Sequence, residues 1–390
     1  MKALFTPIEV GHIRLKNRIV MPAMHLNYTP EGEVTDRLVA FYEERTRGGA
    51  ALIVVGGCII DENSGEKGMI NIGEDGYISG LRRLTEAVHQ YGARIAAQLY
   101  HAGRYASSEG HSFSIGGQPL APSPVVSRFS HERPREMTKE DIESVLENYA
   151  AASRRAQRAG FDAIEILGSA GYLISQFLSP ITNMRTDEYG GSFEKRMRFG
   201  LEVADAVRDA VGKEFTVLIR LAGNDFMPGG NTNRETRLFA QELERHGVDA
   251  FNITGGWHET KVPQITMEVP RGAFAYLAQG VKQVVTKPVI ACNRTCDPFL
   301  ADRLIAQGSA DMVGIGRGLI ADPEMPQKAL EGRFDEITSC LGCNEGCFDH
   351  VFELQPIECM VNPRAGHELE FPQTSRTAMQ KKVVVIGCGP

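Results

Sequence analysis

The chain has 390 residues, of which 42% are hydrophobic and 23% charged, with a formal net charge of −7. That composition suits a globular protein with one large domain and an appendage. The acidic balance, free of long blocks of like charge, excludes a phosphate-backbone binder, which would present a basic face. The stretch Met1 to Arg18 lacks the apolar core of a secretory signal. The longest apolar runs, such as Ala50 to Val55 and Val383 to Ile386, fall far short of a membrane span. The expectation is therefore a cytoplasmic protein with no nucleic-acid or membrane partner, whose eight cysteines stay out of disulfides.

In chain order, eight short apolar and β-branched runs predict strands: Ile19–Met24, Ala51–Val55, Arg94–Leu99, Ala163–Leu167, Thr216–Leu221, Ala250–Thr254, Pro288–Cys292 and Met312–Ile315. Amphipathic stretches lie between them, among them Ile78–Tyr91, Lys139–Ala159 and Phe193–Val211. Apolar strands alternating with helices mean a parallel sheet covered by helices. Eight such units favour closure into an α/β (β/α)8 TIM barrel over a doubly wound open sheet, and no glycine-rich phosphate turn follows the first strand. Gly160, Gly247 and Gly308 each stand where a helix should stop before the next strand. Two insertions interrupt the beat: a Gly-, Ser-, Pro- and His-rich loop from about Tyr105 to Pro134, and Gly168 to Gly191 with the densest polar motif in the chain. Loops of that length inside a compact domain carry function.

In a (β/α)8 barrel the chemistry sits at the C-terminal ends of the strands. Those ends carry His25, Gln98 with His101, Gly168 to Tyr172, Arg220, Gly255 to His258, Asn293 with Arg294, and Gly314 to Gly318. Any one of them could be a satisfied structural residue; their convergence on one rim points to a site. The alternating glycines of Gly314-Ile-Gly-Arg-Gly318 leave backbone N–H groups open, and Arg317 can grip a phosphate, so a phosphate-bearing cofactor is expected.

Beyond the barrel, Cys340, Cys343, Cys347 and Cys359 form C-x2-C-x3-C-x11-C. Four thiolates so spaced can wrap a metal centre. Zinc is the competing ligand, but its sites tend to use paired C-x2-C knuckles, and the x3 spacing favours a [4Fe–4S] cluster. The last ten residues, KKVVVIGCGP, read as the first strand and Gly-x-Gly turn of a dinucleotide-binding unit cut short, which implies a polypeptide continuing past Pro390.

These residues resemble the 2,4-dienoyl-CoA reductase and enoate reductase branch of the Old Yellow Enzyme (NADH:flavin oxidoreductase) superfamily, to which trimethylamine dehydrogenase is related. The resemblance rests on Leu4-Phe-x-Pro7, Leu15-Lys-Asn-Arg18, His101-Ala-Gly-Arg104, Asn183-x-Arg-x-Asp-x-Tyr-Gly-Gly-Ser192, Arg196-x-Arg-Phe199, Gly255-Gly-Trp-His-Glu259, Val269-Pro-Arg-Gly272, Ala321-Asp322 and Val361-Asn-Pro-Arg364. It implies FMN contacts from Ala23, Met24, His25 and Gly57, with Gln98 on the flavin pyrimidine and Arg220 at its N1–C2 edge. Asn293, Arg294, Gly316 and Arg317 would hold the ribityl phosphate. Tyr172 matches the proton donor and His258 its neighbour; the four clustered cysteines match the [4Fe–4S] ligands.

Three segments follow: residues 1–335 as the FMN barrel, 336–380 as the cluster segment and linker, and 381–390 as the opening of a domain for FAD and NAD(P)H. The implied activity is reduction of the C=C bond of an α,β-unsaturated carbonyl compound (a thioester, enoate or enone). Electrons would come from NAD(P)H through FAD, the cluster and FMN. The alternatives are an amine dehydrogenase and a redox carrier or sensor. Residues 21–30 contain no cysteine for a covalent flavin, and Trp257, the one tryptophan, cannot build a cation cage. A homo-oligomer is compatible with the reading.

Overall fold

The structure, a computed structural model, describes residues 1–66, 68–108 and 117–371, together with residues 382, 384, 386 and 387. All eight predicted strands are present: Ile19–Met21, Leu52–Ile59, Arg94–Tyr100, Ala163–Gly168, Thr216–Ala222, Ala250–Thr254, Val289–Ala291 and Met312–Gly314. Each pairs in parallel with its neighbours. The ring closes because the first strand pairs with both the eighth (Val313 with Ile19) and the second (Val20 with Leu52). This is a TIM barrel.

Its core follows the two-residue period of the strands. Val20, Val54, Ala96, Ala163, Leu218, Ala250, Ile290 and Met312 share one buried cluster, in which alanines on some strands make room for larger side chains on others. The alternate residues Ile19, Ile53, Ile95, Ile164, Val217, Phe251, Val289 and Val313 join a larger cluster with the apolar faces of the helices. An N-terminal hairpin that periodicity does not signal, Ile8–Val10 with Ile13–Leu15, contributes to the first cluster. Its His12 amide donates to Thr216 Oγ1 at 3.0 Å, at the start of the fifth strand, so the hairpin covers the N-terminal end of the barrel.

The predicted helices appear at Ile78–His89, Lys139–Arg158 and Phe193–Val211. Thr138 with Asp141 and Thr232 with Glu235 form capping boxes, each worth on the order of 1 kcal/mol. Gly160, Gly247 and Gly308 all have positive φ (89°, 83° and 72°), the left-handed geometry that ends a helix.

The insertions differ from expectation in detail. In the first, Leu120–Ala121 pairs in parallel with Arg135–Glu136; residues 109–116 lie outside the described residues. The second is not one loop: it contains the helix Leu173–Leu178. Its polar motif is a brace. Asn183 Nδ2 donates to the carbonyls of Phe177 (2.6 Å) and Tyr189 (2.7 Å), and buried Arg185 spans Asp187 and the carbonyl of Met137 (2.6 Å). Polar density there satisfies backbone rather than substrate.

After the barrel the chain folds back over the first βα unit. Ile357 N donates to Leu26 O at 3.0 Å, Tyr28 Oη to Ile357 O at 2.7 Å, and Arg364 and Glu368 form ion pairs with Glu44 and Arg45. The cysteine segment is thus fixed beside the barrel mouth. The dinucleotide-type opening at 381–390 lies mostly outside the described residues. Among the described residues no helix is long and apolar enough to cross a membrane.

Candidate active site

At the C-terminal ends of the strands lies a pocket with a cavity volume of about 280 Å³. That is close to the ~300 Å³ at which the range of small-molecule sites begins. All twelve residues assigned to cofactor or catalysis line it: Ala23, Met24, His25, Gly57, Gln98, Tyr172, Arg220, His258, Asn293, Arg294, Gly316 and Arg317. Gly57 does so from within the second strand, which runs on to Ile59.

A buried carboxylate orders the floor. Glu165, fully buried on the fourth strand, accepts from Gln98 Nε2 at 2.6 Å and from Asn252 Nδ2 at 2.8 Å. Gln98 therefore spends its amide nitrogen below, and its carbonyl oxygen remains for the pocket. Burial raises the pKa of Glu165, while the charge of Arg220 and the two amide donors oppose the rise. Arg220 donates to Ala23 O at 3.2 Å, yet its Nε has no partner among the described residues. A buried guanidinium N–H left open at a pocket wall fits an acceptor on a bound group.

His25 Nδ1 lies 3.3 Å from Glu66, and burial lowers the His25 pKa to about 4, so the ring is neutral at pH 7. On the seventh and eighth strands' loops, Asn293 and Arg294 hold left-handed backbone (φ 68° and 59°), and Gly316 packs against Met24, whose Sδ would lie 2.8 Å from a Cβ there and would have to shift. Arg294 commits its Nε to Val269 O at 2.9 Å, and Arg317 bonds the Asn344 side chain in the cysteine loop. Both arginines thus brace the rim as well as face the pocket.

The loops after the fourth and sixth strands are stitched together by a parallel bridge, Ala170 to Trp257, and by His258 N donating to Ala170 O at 3.2 Å. Trp257 is buried, its indole N–H held by Asp225 at 2.9 Å, which makes it an anchor rather than a pocket residue. Next to it, Glu259 receives Arg104, Tyr105 Oη (3.1 Å) and Arg128 N (2.7 Å), tying down the insertion after the third strand. This stitching sets Tyr172 Oη 2.8 Å from His258 Nε2. Burial holds Tyr172 above the ordinary tyrosine range against the opposing charge of Arg220; burial and then Arg220 bring His258 down to about 4. The pair is a neutral phenol beside a neutral imidazole. His101 does not join the pocket. It is buried, and its Nδ1 accepts from Gly103 N at 3.1 Å.

Cys340, Cys343, Cys347 and Cys359 line one smaller pocket together with Arg317 and Ile320. Cys347, Arg317 and Ile320 line the large pocket as well, so the two share a wall. The Cys340 thiol falls to about 6, chiefly through its neighbour Cys296, with a backbone N–H and the charges of Arg317 and Arg294 adding to the effect. That environment favours the thiolate a metal ligand must be. Among the described residues no group of three or more His, Cys, Asp or Glu is close enough to hold a metal ion.

Sequence reasoning missed Tyr100, Cys292, Cys296, Phe348 and Phe352, all of which line the large pocket. Tyr100 was within reach, because it follows Gln98 by two on the same strand and so shares its face. Cys296 carried no signal, since only the fold brings it to Cys340.

A (β/α)8 barrel with a rim of this composition, a buried Gln–Glu–Arg floor and a Tyr–His pair defines the flavin-binding oxidoreductase class. Residues 3–336 match the NADH:flavin oxidoreductase / NADH oxidase family, and the chain belongs to it, within the Old Yellow Enzyme superfamily that its motifs indicated. It is 55% identical over 390 residues to a "Metal reductase" of Desulforamulus reducens, covering 100% of this chain and 58% of that protein. It is 42% identical over 392 residues to an "NADH oxidase" of Thermoanaerobacter brockii, covering 99% and 60%. Among solved structures, a 2-naphthoyl-CoA reductase in complex with 2-naphthoyl-CoA superposes with a TM-score of 0.90 at 34% identity, over 94% of this chain and 58% of that one. The chain thus spans less than two thirds of the length of each.

Proposed function

We propose that this chain is the substrate-reducing part of an iron–sulfur flavoenzyme that saturates the C=C bond of α,β-unsaturated carbonyl compounds. FMN would occupy the large pocket and a [4Fe–4S] cluster the four-cysteine pocket, with NAD(P)H as the electron source through FAD bound beyond residue 390. The observation that carries the reading is the 2.8 Å Tyr172–His258 pair in a pocket also lined by Gln98, Arg220 and the glycine-rich turn.

When bound, FMN supplies a hydride equivalent to one carbon of the activated double bond. The chain's own residues manage the proton and the charge. With His258 neutral and its proton on Nε2, that N–H would donate to Tyr172 Oη, so the phenolic hydrogen is not committed to the imidazole. Tyr172 then gives its proton to the other carbon, so hydride and proton together saturate the bond. Its phenolate is held by the His258 N–H and the charge of Arg220 until solvent returns a proton. Gln98 and Arg220 would hold the pyrimidine edge, Asn293, Arg294, Gly316 and Arg317 the phosphate, and Ala23, Met24, His25 and Gly57 the remaining faces.

The four thiols suit a metal centre because they line one pocket together, and their C-x2-C-x3-C-x11-C spacing favours a [4Fe–4S] cluster over the paired C-x2-C knuckles of zinc. An amine dehydrogenase is not favoured: no Asp or Glu is among the described residues lining the pocket, so a substrate ammonium would lack a counter-charge. The test is anaerobic. FMN-loaded protein, photoreduced and mixed with enones, enoates and enoyl thioesters, should reoxidise and yield the saturated product. Failure to reoxidise with any of them, together with reduction of the oxidised protein by simple amines, would overturn the reading.

A further inference from the structure

The helix Phe348–Phe352 begins directly after the cluster-type residue Cys347, and its two phenylalanines sit one turn apart, rings edge-on at 4.9 Å. Both line the large pocket, and both leave 37% of their surface exposed. The part of such a ring that stays exposed at a pocket wall gains from a ligand that buries it. The aromatic surface extends inward: Phe129 lies 5.7 Å from Phe352 and 5.8 Å from His258, the ring next to the Tyr172 hydroxyl. Val351 and Ile357 fill the same wall, and the lining cations Arg220, Arg294 and Arg317 belong to the floor and the glycine-rich rim.

We propose that Phe348 and Phe352, backed by Phe129, form a stacking wall that selects flat, conjugated, aryl-bearing unsaturated carbonyl compounds, uncharged at the end that meets the wall. This rests on the reductase reading and narrows its substrate class. A planar ring gains edge or face contacts with these phenylalanines that a puckered ring of the same size does not. The wall is delivered by the cysteine segment, so one stretch of chain serves two neighbouring pockets.

The test compares 4-phenyl-3-buten-2-one with 4-cyclohexyl-3-buten-2-one, which differ in ring planarity and share the reacting group. Dissociation constants come from saturation of flavin reoxidation in the anaerobic, photoreduced holoprotein. The same comparison is made by flavin spectral titration with the two saturated ketones, which need no turnover. The wild type should bind the phenyl member of each pair roughly three- to tenfold more tightly. Phe352→Leu and Phe348→Leu, which keep apolar bulk, should bring that ratio close to one by weakening the phenyl ligand, and Phe352→Tyr should retain it. Equal affinities in the wild type, or a preference unchanged in both leucine variants, would overturn the wall. If neither enone reoxidises the flavin while the saturated pair still shows the phenyl preference, the wall stands and the reductase reading fails.

Discussion

Tyr172 Oη and His258 Nε2 meet at 2.8 Å although they come from loops 86 positions apart, because the Ala170–Trp257 bridge holds those loops in register. A phenol held protonated by burial, beside an imidazole held neutral, is suited to give a proton to an enolate. Tyr172→Phe keeps the ring and its edge-on contact with Tyr100 at 4.8 Å. FMN binding should survive, while flavin reoxidation by substrate falls ~10²–10⁴-fold. Stopped-flow reoxidation at the wild-type rate would reduce Tyr172 to a wall of the pocket. His258→Ala should impair the same step, and the double variant should lose less than the product of the two effects, since the residues act as one unit.

Glu165 offers a test of the floor. Its two oxygens accept from Gln98 and Asn252, and the charge of Arg220 on the next strand opposes the rise that burial causes in its pKa. Glu165→Ala leaves the buried amides of Gln98 and Asn252 without their acceptor, and should cost about 2–6 kcal/mol, ~1–3 for each. Glu165→Gln keeps the shape and should cost less. Urea unfolding of the apoproteins measures both, and an alanine variant as stable as the wild type would show that the network contributes nothing.

The barrel was legible because its eight strands are buried on both faces and so read as apolar runs; the glycine stops fell where helices ended. The rim was legible too, since polar residues at the ends of apolar strands stand out. What stayed hidden came from across the fold. Glu165 sits in an apolar strand, and nothing in the sequence pairs it with Gln98 and Asn252. Phe348 and Phe352 read as part of a metal loop until the segment folded back on the barrel. In the Asn183–Ser192 motif, Asn183 and Arg185 turn inward to backbone carbonyls, while Glu188 pairs with Lys139 and Tyr189 with Glu202.

The cysteine assignment predicts a composition. Anaerobically isolated protein should carry about four irons per chain and a broad absorbance bleached by dithionite. Cys343→Ala should lose the cluster and keep FMN, since the flavin-type pocket draws on the barrel rim. Stoichiometric zinc with no iron, by metal analysis, would reject the [4Fe–4S] reading.

The last prediction concerns acid. Burial lowers His25 and His258 to about 4, against about 6.5 in an unfolded chain. Between those values the unfolded chain binds protons that the folded one refuses, so stability must fall as pH drops from 6.5 to 4. At full effect each histidine contributes on the order of 3 kcal/mol of destabilisation by pH 4, and nothing above pH 7. Asp225 works the other way: burial raises it to about 6, so between about pH 6 and 4 it takes up a proton in the fold and offsets part of the loss. The clean measurement is therefore a difference. The pH dependence of urea unfolding is compared between wild-type apoprotein and His258→Gln, which cannot ionise and leaves Asp225 in place. The variant should show a shallower loss of stability between pH 6.5 and 4, and His25→Gln should behave alike. Parallel curves for wild type and variant would mean that His258 ionises in the fold as it does in water, and with that the neutral imidazole beside Tyr172 would be lost.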